Sequence, residues 1–358
     1  MATLKNTIIS DTGHLTTAVG TTAQRPGSPT AGMVRYNTDL GYHEYYDSTS
    51  ASWVQVGLSV AFVAATGGTV TTSGDYKIHT FTSSGTFTVT DAGSAGGSDS
   101  VDYLVVAGGG GGGTSRAGGG GAGGYRESVP TPAAWTASPL ADSGGSVPVS
   151  ATSYPITVGA GGVGGNGPYQ ESGTQGGSSV FSTITSAGGG SGRSDQFPNP
   201  APASIGGPGG SGGGGVNGQV GGTGNTPPVS PPQGNSGGSS TESGPNYGSG
   251  GGGGAGVAGT NGTSTVAGPG GNGVTSSING SPVTRAGGGG GGGYTAPVPQ
   301  PSGGSGGGGA GGRYSPTAIP GGNGTANTGG GGGGGSTSPA DGGGTGGSGI
   351  VIIRYKFQ

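Results

Sequence analysis

Apolar and polar positions alternate clearly in only a few short stretches of this chain. Residues 33–38 (Met-Val-Arg-Tyr-Asn-Thr), 42–46 (Tyr-His-Glu-Tyr-Tyr) and 52–56 (Ser-Trp-Val-Gln-Val) read as three strands of a meander, with a turn at 39–41. Such a unit is too small to be stable alone and calls for a partner or a docking surface. Residues 75–82 and 86–90, separated by Ser83-Ser-Gly85, carry Tyr76, Ile78, Phe87 and Val89 at strand spacing and predict a hairpin. Residues 101–106 (Val-Asp-Tyr-Leu-Val-Val) and 350–357 (Ile-Val-Ile-Ile-Arg-Tyr-Lys-Phe) read as strands entering and leaving the glycine-rich stretch, the second being the strongest strand signal in the chain. Leu104, Val106, Ile350, Ile352 and Tyr355 need a common apolar surface. The two strands are therefore expected side by side, although most of the chain lies between them.

Between these strands the hydrophobic pattern stops and glycine replaces it. The chain has 101 glycines in 358 residues, in runs such as 108–113, 118–121, 212–215, 287–293, 306–309 and 329–335. Only 27% of residues are hydrophobic and 7% charged, too little apolar surface for an ordinary core over 107–349. Collagen is excluded, because the glycines are contiguous and the prolines lie outside the runs. A polyproline II conformation fits. It has no internal hydrogen bonds, and glycine alone lets such helices pack side by side and bond laterally. About ten blocks of roughly 5–10 residues would each span about 15–30 Å at ~3.1 Å per residue. Reversals between them form loops, the longer ones at 125–158, 193–205, 216–249, 294–302 and 313–320.

The expected fold is therefore mainly β and irregular, with almost no α-helix. A small N-terminal β module occupies 1–57, and a β module at 58–106 frames the glycine-rich region. A bundle of stacked polyglycine II helices follows over 107–349, and a strand at 350–358 closes the structure.

Charge and chemistry narrow the function by exclusion. Eleven basic and fourteen acidic residues offer no basic field for nucleic acid. The absence of cysteine removes disulfides, thiolate metal sites and a cysteine nucleophile. No stretch has the length and apolarity of a membrane span, and the start has no signal-peptide core. Glycine patterns resembling nucleotide loops lack a strand–helix context and a following lysine. His14, His43 and His79 are not spaced for a metal and read as surface or sheet residues. Asn261-Gly-Thr, Asn279-Gly-Ser and Asn323-Gly-Thr read as turns. The acidic residues of the glycine region, Glu127, Asp142, Glu171, Asp195, Glu242 and Asp341, are too dispersed for glycoside hydrolysis. The expectation is no enzyme, no cofactor and no metal.

Aromatic residues next to arginine or proline are the candidate recognition groups. Tyr125, Arg126, Trp135, Phe197, Tyr294, Arg313 and Tyr314 are placed on loops, where they either stack on a receptor or clamp the loops onto the bundle. Tyr154 and Phe181, in strand-like contexts, are expected to pack.

The sequence Val101-Asp-Tyr-Leu-Val-Val-Ala-Gly-Gly-Gly, the segment 154–162 (Tyr-Pro-Ile-Thr-Val-Gly-Ala-Gly-Gly), Gly177-Ser-Ser-Val-Phe181 and the closing Gly349-Ile-Val-Ile-Ile-Arg-Tyr355 resemble the glycine-rich domain of bacteriophage tail fibres and adhesins, especially of viruses infecting cyanobacteria. Residues 24–38, with Tyr45-Tyr-Asp and Trp53-Val, resemble the short β module near the start of phage fibre proteins. The resemblance implies a virion protein made in the host cytoplasm. Residues 1–57 would attach it to baseplate or tail proteins, as a homotrimer, without membrane insertion. The loops would meet a host-surface saccharide or outer-membrane protein. The alternative is a head fibre, capsid decoration or tail-associated structural protein that binds no receptor. An ice-binding polyglycine protein is disfavoured by the long proline-rich loops.

Overall fold

The computed structural model describes residues 17–57, 60–166, 171–195, 205–241, 243–294, 300–314, 318–336 and 342–358. Met1–Val60 and Ala61–Gln358 form two compact units. The described residues are strands and extended segments, with one 3₁₀ turn at Thr22–Gln24 and no α-helix.

The first unit is a four-stranded sheet in chain order: β1 (Ala18–Gly20), β2 (Val34–Asn37), β3 (Tyr42–Asp47) and β4 (Ser52–Gln55). β2, β3 and β4 are the antiparallel meander expected from the alternation; β1 adds a parallel edge. Its buried centre is polar. Glu44 accepts from the Arg25 guanidinium at 2.6 Å and from Asn37 Nδ2 at 3.2 Å, with Arg35 Nε 3.5 Å away. The Arg25 hydrogen bond holds the Glu44 carboxyl below the usual range.

The second unit is built on two packed sheets. β5 (Val63–Thr66), β8 (Gly85–Ala92), β13 (Ser153–Thr157), β14 (Ser179–Phe181) and β15 (Ile184–Ser186) make the smaller one. The larger contains β6 (Thr69–Ser73), β7 (Tyr76–Phe81), β9 (Ser100–Val106), β10 (Tyr125–Val129), β11 (Ala141–Ser143), β12 (Val147–Pro148) and β18 (Ile350–Lys356). β18 lies between β7 and β9, antiparallel to both, with Ile350 opposite Val106 and Ile352 opposite Leu104. The two apolar runs are therefore adjacent, as their burial requires. Val101, Tyr103, Val105, Val351, Ile353 and Tyr355 face the smaller sheet, where they meet Phe87, Ile156 and Phe181. Leu104, Val106, Ile350 and Ile352 face the other way, toward Ile78, Tyr125, Val274 and Ile278. Burial on both faces, at roughly 1.5–3 kcal/mol per large side chain, explains why these strands lack alternation.

The hairpin predicted over 75–90 does not form. β7 and β8 belong to different sheets, and residues 82–84 carry the chain across the sandwich, so that Phe81 and Phe87 approach one core from opposite sides. The link from β5 to β6 makes a similar crossing through Gly67 and Gly68, at φ +110° and +63°. A Cβ on Gly68 would sit 2.7 Å from the Thr80 carbonyl oxygen.

Beyond β9 the runs 108–113 and 287–293 contain no positive φ, as polyproline II requires, whereas Gly306 and Gly307 (φ +96° and +95°) and Gly329, which opens the run 329–335 (φ +70°), depart from it. Segment 108–114 shows the order of the bundle. Gly108 and Gly111 donate to Gly177 and Thr174; Gly109 and Gly112 donate to Gly347 and Gly344; Gly110 and Gly113 donate to Gly121 and Gly118. Its carbonyls accept from Gly189 and Gly192, from Gly162 and Gly165, and from Gly332 and Gly335. Partners recur every third residue, so each of the three faces meets its own neighbours and six segments surround one. Backbone hydrogen bonds thus do here what side chains do in an ordinary core.

Three differences from expectation concern the connections. The stretch 125–158 is not a loop: it holds β10 to β13. Parts of 216–249 are bundle segments too, since Gly222 donates to Gly213 and Gly237 to Gly222. Asn261 and Asn323 are not turns but lateral clamps. Asn261 Oδ1 accepts from Ser239 N while Gly262 N donates to Ser239 O, both at 2.8 Å; Asn323-Gly324 holds Thr345 in the same way. Asn272-Gly273 repeats the clamp on Ser305. Asn279 does lie in a turn, in the hairpin of β16 (Val274–Ser276) and β17 (Val283–Arg285).

Candidate recognition surface

The segments alternate in direction, so successive loops fall alternately at the sandwich and at the far end. Residues 106–108 leave β9, 114–116 reverse the chain, and 117–124 return it to β10. The far-end loops bond to one another. Ser194 Oγ donates to Thr114 O at 2.6 Å, Arg116 N to Ser336 O at 3.2 Å, Tyr294 N to Asn246 O at 3.1 Å and Asn246 N to Ser264 O at 2.7 Å.

Tyr294, Arg313 and Tyr314 meet at this far end. Gly293 and Arg313 form a parallel β-bridge, and Arg313 pairs again with Ile319. The next residue on each side of the parallel bridge is a tyrosine, so equal register brings the rings together. They stack 5.9 Å apart at an interplanar angle of 5°. Tyr294 remains 39% and Tyr314 45% exposed, so the pair presents aromatic surface to solvent rather than closing a core.

Arg116, Asp195 and Tyr247 form a second group at the same end. The Arg116 guanidinium pairs with the Asp195 carboxylate and lies 4.8 Å from the centre of the Tyr247 ring. Asn217, Ser240 and Thr241 complete a narrow cleft around them. Ser115, Arg116, Asn217 and Tyr247 all have left-handed φ, between +45° and +59°, the backbone form that tight reversals demand. Neither Arg116 nor Tyr247 is among the aromatic and arginine positions that the sequence marks for recognition. Counting reversals along the chain would have found them, because both sit in loops that share an end with Tyr294.

Three other candidates, Tyr125, Arg126 and Trp135, lie at the sandwich. Tyr125, expected on a loop, begins β10 and is 1% exposed. Its hydroxyl donates to Glu127 Oε2 at 2.7 Å, and burial with the Glu127 charge pushes its pKa well above the usual phenol value. Arg126 is half-buried on the same strand, so neither residue is part of the far-end surface. Trp135 clamps its loop: its ring lies 4.3 Å from the Arg354 guanidinium and edge-on to Tyr76. Phe197 lies outside the described residues. Tyr154 and Phe181 pack against Phe87, as expected.

The far-end groups offer two kinds of contact surface. Exposed parallel rings offer a flat π surface for the C–H face of a sugar or an apolar side chain, and guanidinium groups offer fixed donors. Among the described residues no three His, Cys, Asp or Glu side chains gather where they could hold a metal. No helix among them is long and apolar enough to cross a membrane.

No curated protein matches the chain. A match to the glycine-rich domain family extends over residues 80–356, from β7 through the bundle to the last residue of β18. The matched region begins and ends within the paired framing strands and covers most of the 358 residues. The chain belongs to the glycine-rich domain family.

Proposed function

We propose that this protein is a non-enzymatic virion fibre or adhesin, in which the glycine bundle is a rigid spacer and its far end contacts the host cell surface. One observation carries the reading: the stacked, solvent-exposed Tyr294–Tyr314 pair at the end opposite the sandwich. Exposed aromatic rings held on a rigid scaffold recognise a partner at low entropic cost. The partner would be a surface saccharide or outer-membrane protein of a bacterium. Residues 1–57 would join baseplate or tail proteins, with the fibre a homotrimer. The resemblance to phage fibre proteins and the neutral, cysteine-free composition agree with this role.

The test is a particle carrying Tyr294→Ala and Tyr314→Ala together. Both side chains are exposed, so the fibre should assemble normally while adsorption to host cells falls by about tenfold or more. Unchanged adsorption with the fibre present would refute the receptor role and favour a capsid decoration or tail-associated structural protein.

A further inference from the structure

Asn-Gly dipeptides recur in the bundle, and the structure treats one of them differently. In Asn261-Gly262, Asn272-Gly273 and Asn323-Gly324 the asparagine carbonyl accepts from a neighbouring serine or threonine N–H. The glycine N–H donates to the carbonyl of that same residue, at 2.8 Å in each case. The Gly280 amide after Asn279 donates to Ser277 O at 2.9 Å. Asn166 is followed by a residue outside the described ones. Asn217-Gly218 has no clamp. Val216 O accepts from Gln219 N at 2.9 Å, and Asn217 and Gly218, at φ +50° and +70°, are the central pair of a type I′ turn. Neither the Gly218 N–H nor the Asn217 side chain is hydrogen-bonded among the described residues, and Gly218 is exposed.

We infer that Asn217 is a site of spontaneous deamidation, and that the reaction changes the charge of the far-end cleft. The Gly218 backbone nitrogen attacks Cγ of Asn217. The new N–Cγ bond closes a succinimide, the Cγ–Nδ2 bond breaks, and ammonia leaves with the Gly218 amide proton. Water then opens the ring at either carbonyl, giving an aspartyl or an isoaspartyl linkage at position 217. Attack needs a free glycine nitrogen and a mobile side-chain amide. The clamped pairs must first lose two hydrogen bonds, which slows them by at least about tenfold. Because Asn217 lines the cleft with Arg116, Asp195 and Tyr247, the new carboxylate appears beside an arginine that already holds one carboxylate. The chemistry is self-contained and needs only water.

The experiment ages the full chain in mildly alkaline buffer and maps its peptides by mass spectrometry, with isoaspartate-specific labelling. Deamidation at Asn217 should exceed that at Asn261, Asn272 and Asn323 by at least about tenfold. Equal or slower reaction at Asn217 would overturn the inference. In denaturant the four sites should converge, since the clamps are gone. A gap that persisted there would assign the difference to flanking sequence and overturn the structural argument.

Discussion

Replacing Gly290 with alanine sets two physical effects of opposite sign against each other. In the unfolded chain the substitution removes conformational freedom, which favours folding by about 0.4–1 kcal/mol wherever the native backbone suits alanine. The extended conformation of 287–293 does suit it. Inside the bundle, however, the added Cβ would lie 2.6 Å from Pro301 O, 2.8 Å from Gly311 N and 2.9 Å from Ser302 O. Gly311 N donates to Pro301 O at 2.8 Å, so the methyl group drives into an existing hydrogen bond. None of these atoms is the end of a flexible side chain that could swing away. Overpacking costs about 1–3 kcal/mol. A buried donor or acceptor left unpaired costs about 1–3 kcal/mol more. The net expectation is a loss of about 1–5 kcal/mol, a sizeable part of the roughly 5–15 kcal/mol that a domain possesses. Urea unfolding followed by Trp135 fluorescence, with Trp53→Phe removing the other tryptophan, gives the number. Ser302→Ala, at an exposed side chain, is the control and should stay within about 0.5 kcal/mol. An alanine at 290 that is neutral or stabilising would refute the claim that close backbone contact holds the bundle.

Other outcomes follow from the sandwich. Deleting residues 350–358 removes a strand hydrogen-bonded on both edges, and soluble protease-resistant protein should be lost; a folded truncation would refute closure by β18. Ile352→Ala, at a fully buried side chain, should cost about 2–5 kcal/mol by chemical denaturation. His79 bridges Gly67 O at 2.7 Å and the Tyr355 hydroxyl at 3.1 Å, and burial lowers its pKa. The native form stays neutral while the unfolded chain takes up a proton near about pH 6.5, so stability should be complete above that pH and decline below it. His79→Gln should remove this part of the slope in denaturation curves recorded across pH; an unchanged slope would exclude His79 as its source.

The framing strands were legible because burial on both faces leaves an uninterrupted apolar run, and that run also requires a partner at the other end of the chain. The bundle was legible because a steric rule, no Cβ between touching backbones, appears directly as contiguous glycine. Other features were hidden. The crossing from β7 to β8 looks like a hairpin, since three residues can join strands within one sheet or across two, and the pattern of Phe81 and Phe87 suits either. Segments such as 219–224 and 235–240 mix glycine with Thr, Asn and Ser at the bundle surface, so composition alone reads them as loop. Tyr125 was misplaced because its strand, Tyr-Arg-Glu-Ser-Val, buries a glutamate. Glu127 accepts from the Tyr125 hydroxyl, Ser138 N and Ser276 Oγ, an accommodation that no local pattern reveals. The Tyr294–Tyr314 pair depends on a parallel bridge between two segments 20 residues apart, which no local pattern encodes.

The threefold repeat of the lateral bonds has a genetic corollary. In 108–114 the partner segment changes with each residue and returns after three. Nine nucleotides added to a glycine run would lengthen one helix by a full turn and leave every face toward its old neighbour. Three or six nucleotides would rotate everything beyond the insertion by one or two thirds of a turn and misalign its bonds. Across the bundle the corresponding unit is a pair of runs, one outgoing and one returning, because a single added run would deliver the chain to the wrong end and strand β18 away from β7 and β9. Length variation in such genes should therefore accumulate in triplets of glycine codons within runs and in whole out-and-back pairs between them.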